Sequence, residues 1–324
     1  MRLTSKGDRR FFSLATTLAI ALVVVFFMLL ISLIIFSLPS IKAFGLSFLW
    51  TNQWNPVTGE FGAFSAIVGT IVTSIFALVI AIPFSLGIAI LIDHLLPRKI
   101  GQVLARLIEL MAGIPSIVYG IWGLFFLLPW VQKLQLKMLP FSNSVEAKFE
   151  ALKKSGSIFY YFKPFVLFFV KTLPTGSSVF AASIILAVMV IPLISSIMRE
   201  VLGNMPDLIK EAAYGTGATH WEVTKSILLP FAAPGLLGAI ILGFGRALGE
   251  TMAVTFVIGN THSLEGLFMP STTISATIAN EFNEATGTLF PAALVETGLI
   301  LFLISLVILL ISRYFLKKSS KRKS

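Results

Sequence analysis

The chain is 324 residues long, 56% hydrophobic and only 12% charged, about half the charged fraction of an ordinary soluble domain. That composition excludes a simple soluble globule, and the absence of cysteine excludes disulfides, thiol catalysis and Cys-ligated metal sites. A formal net charge of +10 raises nucleic-acid binding, but no basic–aromatic platform accompanies the charge, so nucleic acid is not an expected partner.

Six charge-poor apolar runs, at 13–38, 66–92, 104–130, 173–198, 232–258 and 291–312, are long enough to cross about 30 Å of hydrocarbon. They predict an all-α, polytopic membrane protein with six transmembrane helices. The first run follows Arg2, Lys6, Arg9 and Arg10 in the manner of a signal peptide. It is too long for that, lacks an Ala-x-Ala site, and reads as a retained span. Residues 1–65 then comprise an N-terminus, this helix and an outer loop whose Trp50, Trp54 and Pro56 suit a membrane interface. Residues 66–312 form a five-helix core, and 313–324 a basic tail. Within the core, Pro83, the run from Gly113 to Pro115, and Pro192 are expected helix breaks in the second, third and fourth spans. Arg106 and Glu109, early in the third span, read as a pair at the inner interface. The insertion 131–172 carries seven lysines, and its apolar stretch 158–170 is too short to span. An interfacial or re-entrant segment is the expectation there.

Between the fourth and fifth runs lies a polar loop, 199–231, patterned as helix–turn–helix. Asn204 is the expected cap of a first helix opened by Pro206 and Asp207. Gly215 and Gly217 supply the turn that ends it. Thr219-His-Trp-Glu222 is a capping box for a second helix, which Pro230 is expected to stop. So structured a loop between two apolar runs points to a soluble partner that docks on it.

The fifth run holds the costliest residues. A central Arg246 costs about 2.5–3.5 kcal/mol in a membrane helix, and Glu250 a similar amount, so neither faces lipid. Four apart, they are expected on one helix face, beside a small-residue stripe of Gly245 and Gly249. A buried structural ion pair and a lined pathway both fit this pattern. Glu296, early in the sixth run, reads as pairing within the bundle. His94, His220 and His262 are scattered among loops without a metal-binding motif, and no phosphate-binding glycine loop is present. No cofactor or metal is expected, and the chain carries no ATP-binding loop of its own.

With six spans both termini share a side with the 93–103 and 199–231 loops. Counting Arg106 and Arg313, those segments hold 16 of the 25 Lys and Arg residues. The positive-inside rule places that side in the cytoplasm, where the basic residues also suit anionic lipid.

Two stretches resemble a known family. Glu211, Ala212, Ala213, Gly217, Ile227, Leu229 and Pro230 match the "EAA" loop of bacterial ABC-importer permeases without a gap. Gly245-Arg-Ala-Leu-Gly-Glu-Thr-Met-Ala-Val254, Gly113-Ile-Pro-Ser-Ile-Val-Tyr-Gly-Ile-Trp-Gly-Leu-Phe125 and Gly69-Thr70 are similar to the permeases of phosphate-specific (Pst) importers. The resemblance covers about residues 12–312, the 131–172 insertion departing most. It implies an ABC-importer (MetI-like) permease fold in the bacterial plasma (inner) membrane. It also implies half of a translocation channel, completed by a paralogous permease subunit. Two ATPase subunits would dock on the Glu-Ala-Ala loop and bind the ATP, leaving this chain a transport subunit rather than an enzyme, and an extracytoplasmic phosphate-binding protein would deliver phosphate. Arg246, Glu250 and Thr251 become pathway residues by the same resemblance, with the guanidinium as a planar donor to phosphate oxygens. The alternatives are an ABC permease for another oxyanion, molybdate or sulfate, an intramembrane enzyme, and an ion-coupled secondary transporter. An enzyme needs a His/Asp/Ser or metal constellation the spans lack; a secondary transporter needs no such docking loop.

Overall fold

The structure, a computed structural model, describes residues 6–154 and 161–321. Arg2, residues 158–160 of the short apolar stretch, and 322–323 of the basic tail lie outside the described residues. Thirteen α-helices are described: α1 Lys6–Phe44, α2 Phe64–Ile90, α3 Arg98–Ala112, α4 Ser116–Trp122, α5 Leu128–Lys154, α6 Lys163–Val170, α7 Val179–Gly203, α8 Asp207–Gly215, α9 His220–Val223, α10 Leu229–Leu248, α11 Met252–Ile258, α12 Ile274–Glu281 and α13 Leu289–Lys321. Among the described residues, six continuous helical stretches are long and apolar enough to cross a membrane: Gly7–Leu49, Phe64–Leu95, Ser116–Lys153, Val179–Gly203, His220–Leu248 and Leu289–Tyr314.

Helix α7 is the centre of the bundle, with Ile185, Leu186, Val190 and Ile194 fully buried. Helices α2 and α10 pack along it, and glycines set the closeness of the approach. A Cβ on Gly243 of α10 would lie 2.5 Å from Ile194. The first helix is peripheral: α1 leans on α13 and leaves most of its surface uncovered, as a helix facing lipid does. A two-residue hairpin, β1 Trp54–Asn55 and β2 Glu60–Phe61, pairs Trp54 with Phe61 and covers a small second core of Phe48, Phe61, Phe290 and Leu294.

Several expectations shift. Pro83 and Pro192 lie inside uninterrupted α2 and α7 rather than breaking them. The two helices pack tightly here, and the Ser85 hydroxyl donates to the Ile191 carbonyl across the contact (3.3 Å), so the prolines are absorbed by neighbouring protein. The third crossing begins at Ser116, not 104: Gly113–Pro115 separates it from α3, a distinct amphipathic helix. Glu109 pairs with Arg199 of α7 (2.6 Å) instead of Arg106, because α3 lies against the end of α7. Trp54 is no lipid anchor, since its ring stacks on His262 and its indole N–H donates to Glu281 (2.5 Å). Lys163–Val170, the described helical part of the short apolar stretch, forms an eight-residue helix tied to α5 by the Lys163–Glu150 ion pair. Glu296 is buried in α13 next to Ser40 of α1, with one carboxylate oxygen unpartnered and no ion pair among the described residues.

Three wide turns with i→i+5 hydrogen bonds, Leu91–Leu95, Gly123–Leu127 and Thr224–Leu228, each end two residues before a proline: Pro97, Pro129 and Pro230. Proline offers no N–H and crowds the preceding turn, and a wide turn moves the carbonyl ladder on by one residue. After Gly123–Leu127 and Thr224–Leu228 the helix therefore continues through its proline. Pro230 does not stop the second helix of the loop; α9, the wide turn and α10 are one 29-residue rod, His220–Leu248.

Candidate functional site

At one end of the rod sits the polar turn. Helix α8 opens at Asp207 with Pro206 as its N-cap, while Asn204 closes α7. Local sequence favours Asn204 as an N-cap, but α7 runs on to Gly203 and takes it as a C-cap instead. Helix α8 ends in a Schellman motif: Ala218 N–H donates to the Ala213 carbonyl (3.3 Å) and Gly217 N–H to the Tyr214 carbonyl (2.9 Å). Gly217 holds φ +86°, the left-handed conformation this motif requires, whereas Gly215 remains helical. The capping box then forms in full. Thr219 Oγ1 accepts from Glu222 N–H (3.3 Å), and the Glu222 carboxylate accepts from Thr219 N–H (2.8 Å). A Tyr214–His220 contact (2.9 Å) staples the two helices.

The turn is closed by its own hydrogen bonds, yet it is poorly covered. Glu211 and Ala212 are exposed, Ala213 is buried, and Leu208 (76%) and Trp221 (67%) present large apolar surfaces beside them. Ile227 and Leu229 are half-buried and Pro230 exposed on the rod just beyond. A fixed backbone carrying uncovered apolar anchors is the arrangement of a docking element.

At the other end of the rod, Arg246 lies in the last turn of α10. The helix ends at Leu248, Gly249 caps it, and Glu250 and Thr251 occupy the break before α11. Arg246 and Glu250 therefore do not share a helix face, and no ion pair joins them. The Glu250 carboxylate instead accepts from Ala253 N–H (3.4 Å) at the start of α11, and Thr251 Oγ1 donates to the Gly249 carbonyl (3.4 Å). Arg246 and Gly249 are exposed in the single chain, and a Cβ on Gly238 or Gly245 would meet nothing within 4 Å. This face of α10 thus offers one cation on a backbone that a second helix can approach closely.

Packing explains the break. A Cβ on Gly120 of α4 would lie 2.7 Å from Phe256 Cδ2 and 3.1 Å from Ala253 Cα, so only glycine lets α4 press α11 out of line with α10. Gly123 fits Ile185 and Val257 in the same way. The buried Tyr119 sits between these glycines and the helix interruption, within electrostatic reach of Arg246, and its hydroxyl donates to the Met111 carbonyl (2.9 Å) across Gly113–Pro115. Sequence reading missed Tyr119; a tyrosine flanked by a helix interruption and two glycines was the available signal. Gly69 and Thr70 brace the other side of the bundle: the Thr70 hydroxyl accepts from Ile274 N–H (2.9 Å), and a Cβ on Gly69 would strike the Thr272 carbonyl. Among the described residues no cluster of three potential metal ligands exists.

The family described as "Binding-protein-dependent transport system inner membrane component" matches residues 81–321. The chain is 45% identical over 311 residues to the Phosphate transport system permease protein PstC of Mesorhizobium japonicum, covering 95% of this chain and 90% of that protein. It is 44% identical to the PstC of Pasteurella multocida over all of this chain and 94% of that one. Among solved structures it resembles a subunit of a bacterial alginate ABC transporter crystallised with its pentasaccharide-bound periplasmic protein, at TM-score 0.53 and 17% identity over 95% of each chain. That last likeness speaks to the fold alone.

Proposed function

Because this chain belongs to the binding-protein-dependent transport inner-membrane component family, we propose that it is a permease subunit of an ATP-driven phosphate importer. The observation that carries this reading is the continuous rod His220–Leu248. It joins a preformed docking turn at one end to an exposed cation at the other. An ATPase subunit bound at Glu211–Pro230 pushes on Thr219 and Glu222, and the rod carries that displacement about 40 Å to Arg246. The uncovered glycine face of α10 receives a helix of the paralogous permease subunit, and the pathway runs between them. There Arg246 gives phosphate oxygens a charge-assisted, planar set of donors. Glu250 and Thr251, in the break, expose polar groups to the same space. Support for phosphate over molybdate or sulfate comes from the relatives and their near-complete coverage of both chains. An extracytoplasmic binding protein delivers the anion, and the Lys and Arg distribution supports cytoplasmic termini.

The test is uptake of radiolabelled phosphate into proteoliposomes holding the assembled importer with ATP on the ATPase side. Saturable, ATP-dependent phosphate uptake that excess sulfate and molybdate leave unchanged is the expected result. Preferential uptake of either competitor would overturn the substrate.

A further inference from the structure

Helix α3 has three faces, and only one of them is buried. Gly101, Ala105 and Ile108 turn toward the bundle, where a Cβ on Gly101 would lie 2.8 Å from the Ile92 carbonyl. A second face is apolar and bare: Ile100, Val103, Leu107 and Leu110 are 52%, 57%, 52% and 70% exposed. Their spacing confines them to an arc of about 80° on a helix. The third face is polar, and its edge against the apolar stripe is formed by Lys99 and Arg106, two turns apart. Both are exposed and neither has an ion pair among the described residues. The acid of this helix, Glu109, lies on the far edge of the polar face and is held by Arg199. At 15 residues, α3 is about 22 Å long and cannot cross the hydrocarbon. It follows α2 after the wide turn Leu91–Leu95 and Pro97, against the end of α7.

We propose that α3 lies along the bilayer surface, its apolar stripe in the acyl region and its Lys99–Arg106 edge on the headgroups of anionic phospholipid. Charge selects this occupant over a neighbouring subunit or a neutral lipid. The two cations border the bare stripe, and the one acid near them on the helix, Glu109, is already engaged by Arg199, the pattern of an interfacial helix. Each cation contributes about fivefold to the preference for anionic over zwitterionic lipid. The two together give this end of the bundle a sensor for membrane charge, joined to α7 through the Arg199–Glu109 pair. The inference stands apart from the transport reading, because lipid contact is measured without transport.

The experiment places a photo-crosslinking amino acid at Leu107 in the assembled complex, in vesicles of phosphatidylethanolamine and phosphatidylglycerol. Mass spectrometry should find phospholipid adducts enriched several-fold in phosphatidylglycerol over its share of the bilayer. Lys99→Gln with Arg106→Gln, carrying the same probe, should keep the lipid adducts and lose the enrichment. Crosslinks to a protein subunit in place of lipid would overturn the proposal, as would enrichment that survives the double substitution. Phosphate uptake in the same vesicles reports on the transport reading separately, so failure of one leaves the other standing.

Discussion

At Arg246 the energetic problem of a cation inside a span is solved by position. The residue sits in the last turn of α10, next to a break, and is exposed in the single chain. The i,i+4 spacing to Glu250 points to an ion pair, and spacing alone misleads here because the helix ends between them. What ends it is remote in sequence: Gly120 admits α4 against Ala253 and Phe256. No pattern within 243–254 encodes that contact. Two consequences belong at this scale. Arg246→Gln should cut phosphate uptake at least about tenfold, or ~1.4 kcal/mol, while the complex assembles normally. Arg246→Lys should retain part of the uptake, because it keeps the charge and loses the planar fork. Equal uptake by wild type and Arg246→Gln in vesicles would place Arg246 in the scaffold. Gly217, at φ +86° with open space around it, tests conformation without packing. Gly217→Ala should weaken the turn by about 1–2 kcal/mol through backbone strain alone. The measurable outcome is reduced ATPase co-purification with unchanged membrane insertion; undiminished ATPase retention would exclude the turn as the docking point.

Elements whose signals are local are legible in the sequence. The Thr219–Glu222 capping box and the Gly217 turn depend on neighbours a few residues away, and both form as the sequence pattern indicates. Elements fixed by tertiary contact are not legible in this way. The third apolar run is divided because Gly113–Pro115 lets α3 turn onto the end of α7, where Arg199 outcompetes Arg106 for Glu109. Pro230 reads as a stop, yet the wide turn Thr224–Leu228 before it carries the helix through. That accommodation joins the short helix α9 and α10 into one continuous rod. The α4–α11 contact should be the most sensitive joint of the site. Gly120→Val must push aside Phe256 and Ala253, an overpacking cost of about 1–3 kcal/mol. The purified complex should show a lowered Tm together with lost uptake; wild-type thermal stability would mean that α4 does not hold the break.

For the whole molecule, six crossings and the asymmetry of basic residues predict that Thr219 and Ser320 share the cytoplasmic side and Ser263 faces outward. Single cysteines at these positions in the Cys-free chain, treated with a membrane-impermeant reagent on intact cells, should label at Ser263 only. Labelling at Ser320 with protection at Ser263 would reverse the orientation. The proposed coupling is mechanical: one rigid helix would carry motion from the turn Glu211–Thr219 to Arg246. Spin labels at Lys225 and Leu237, both exposed on the rod and away from its glycine face and about 18 Å apart along it, measure this directly by pulsed electron–electron resonance in the reconstituted importer. The distance should be the same without nucleotide and with ATP trapped on the ATPase subunits, while phosphate uptake by the labelled complex persists. A change of about one helical turn, ~5 Å, between the two states would show that the helix bends or unwinds, and would contradict transmission by a rigid rod.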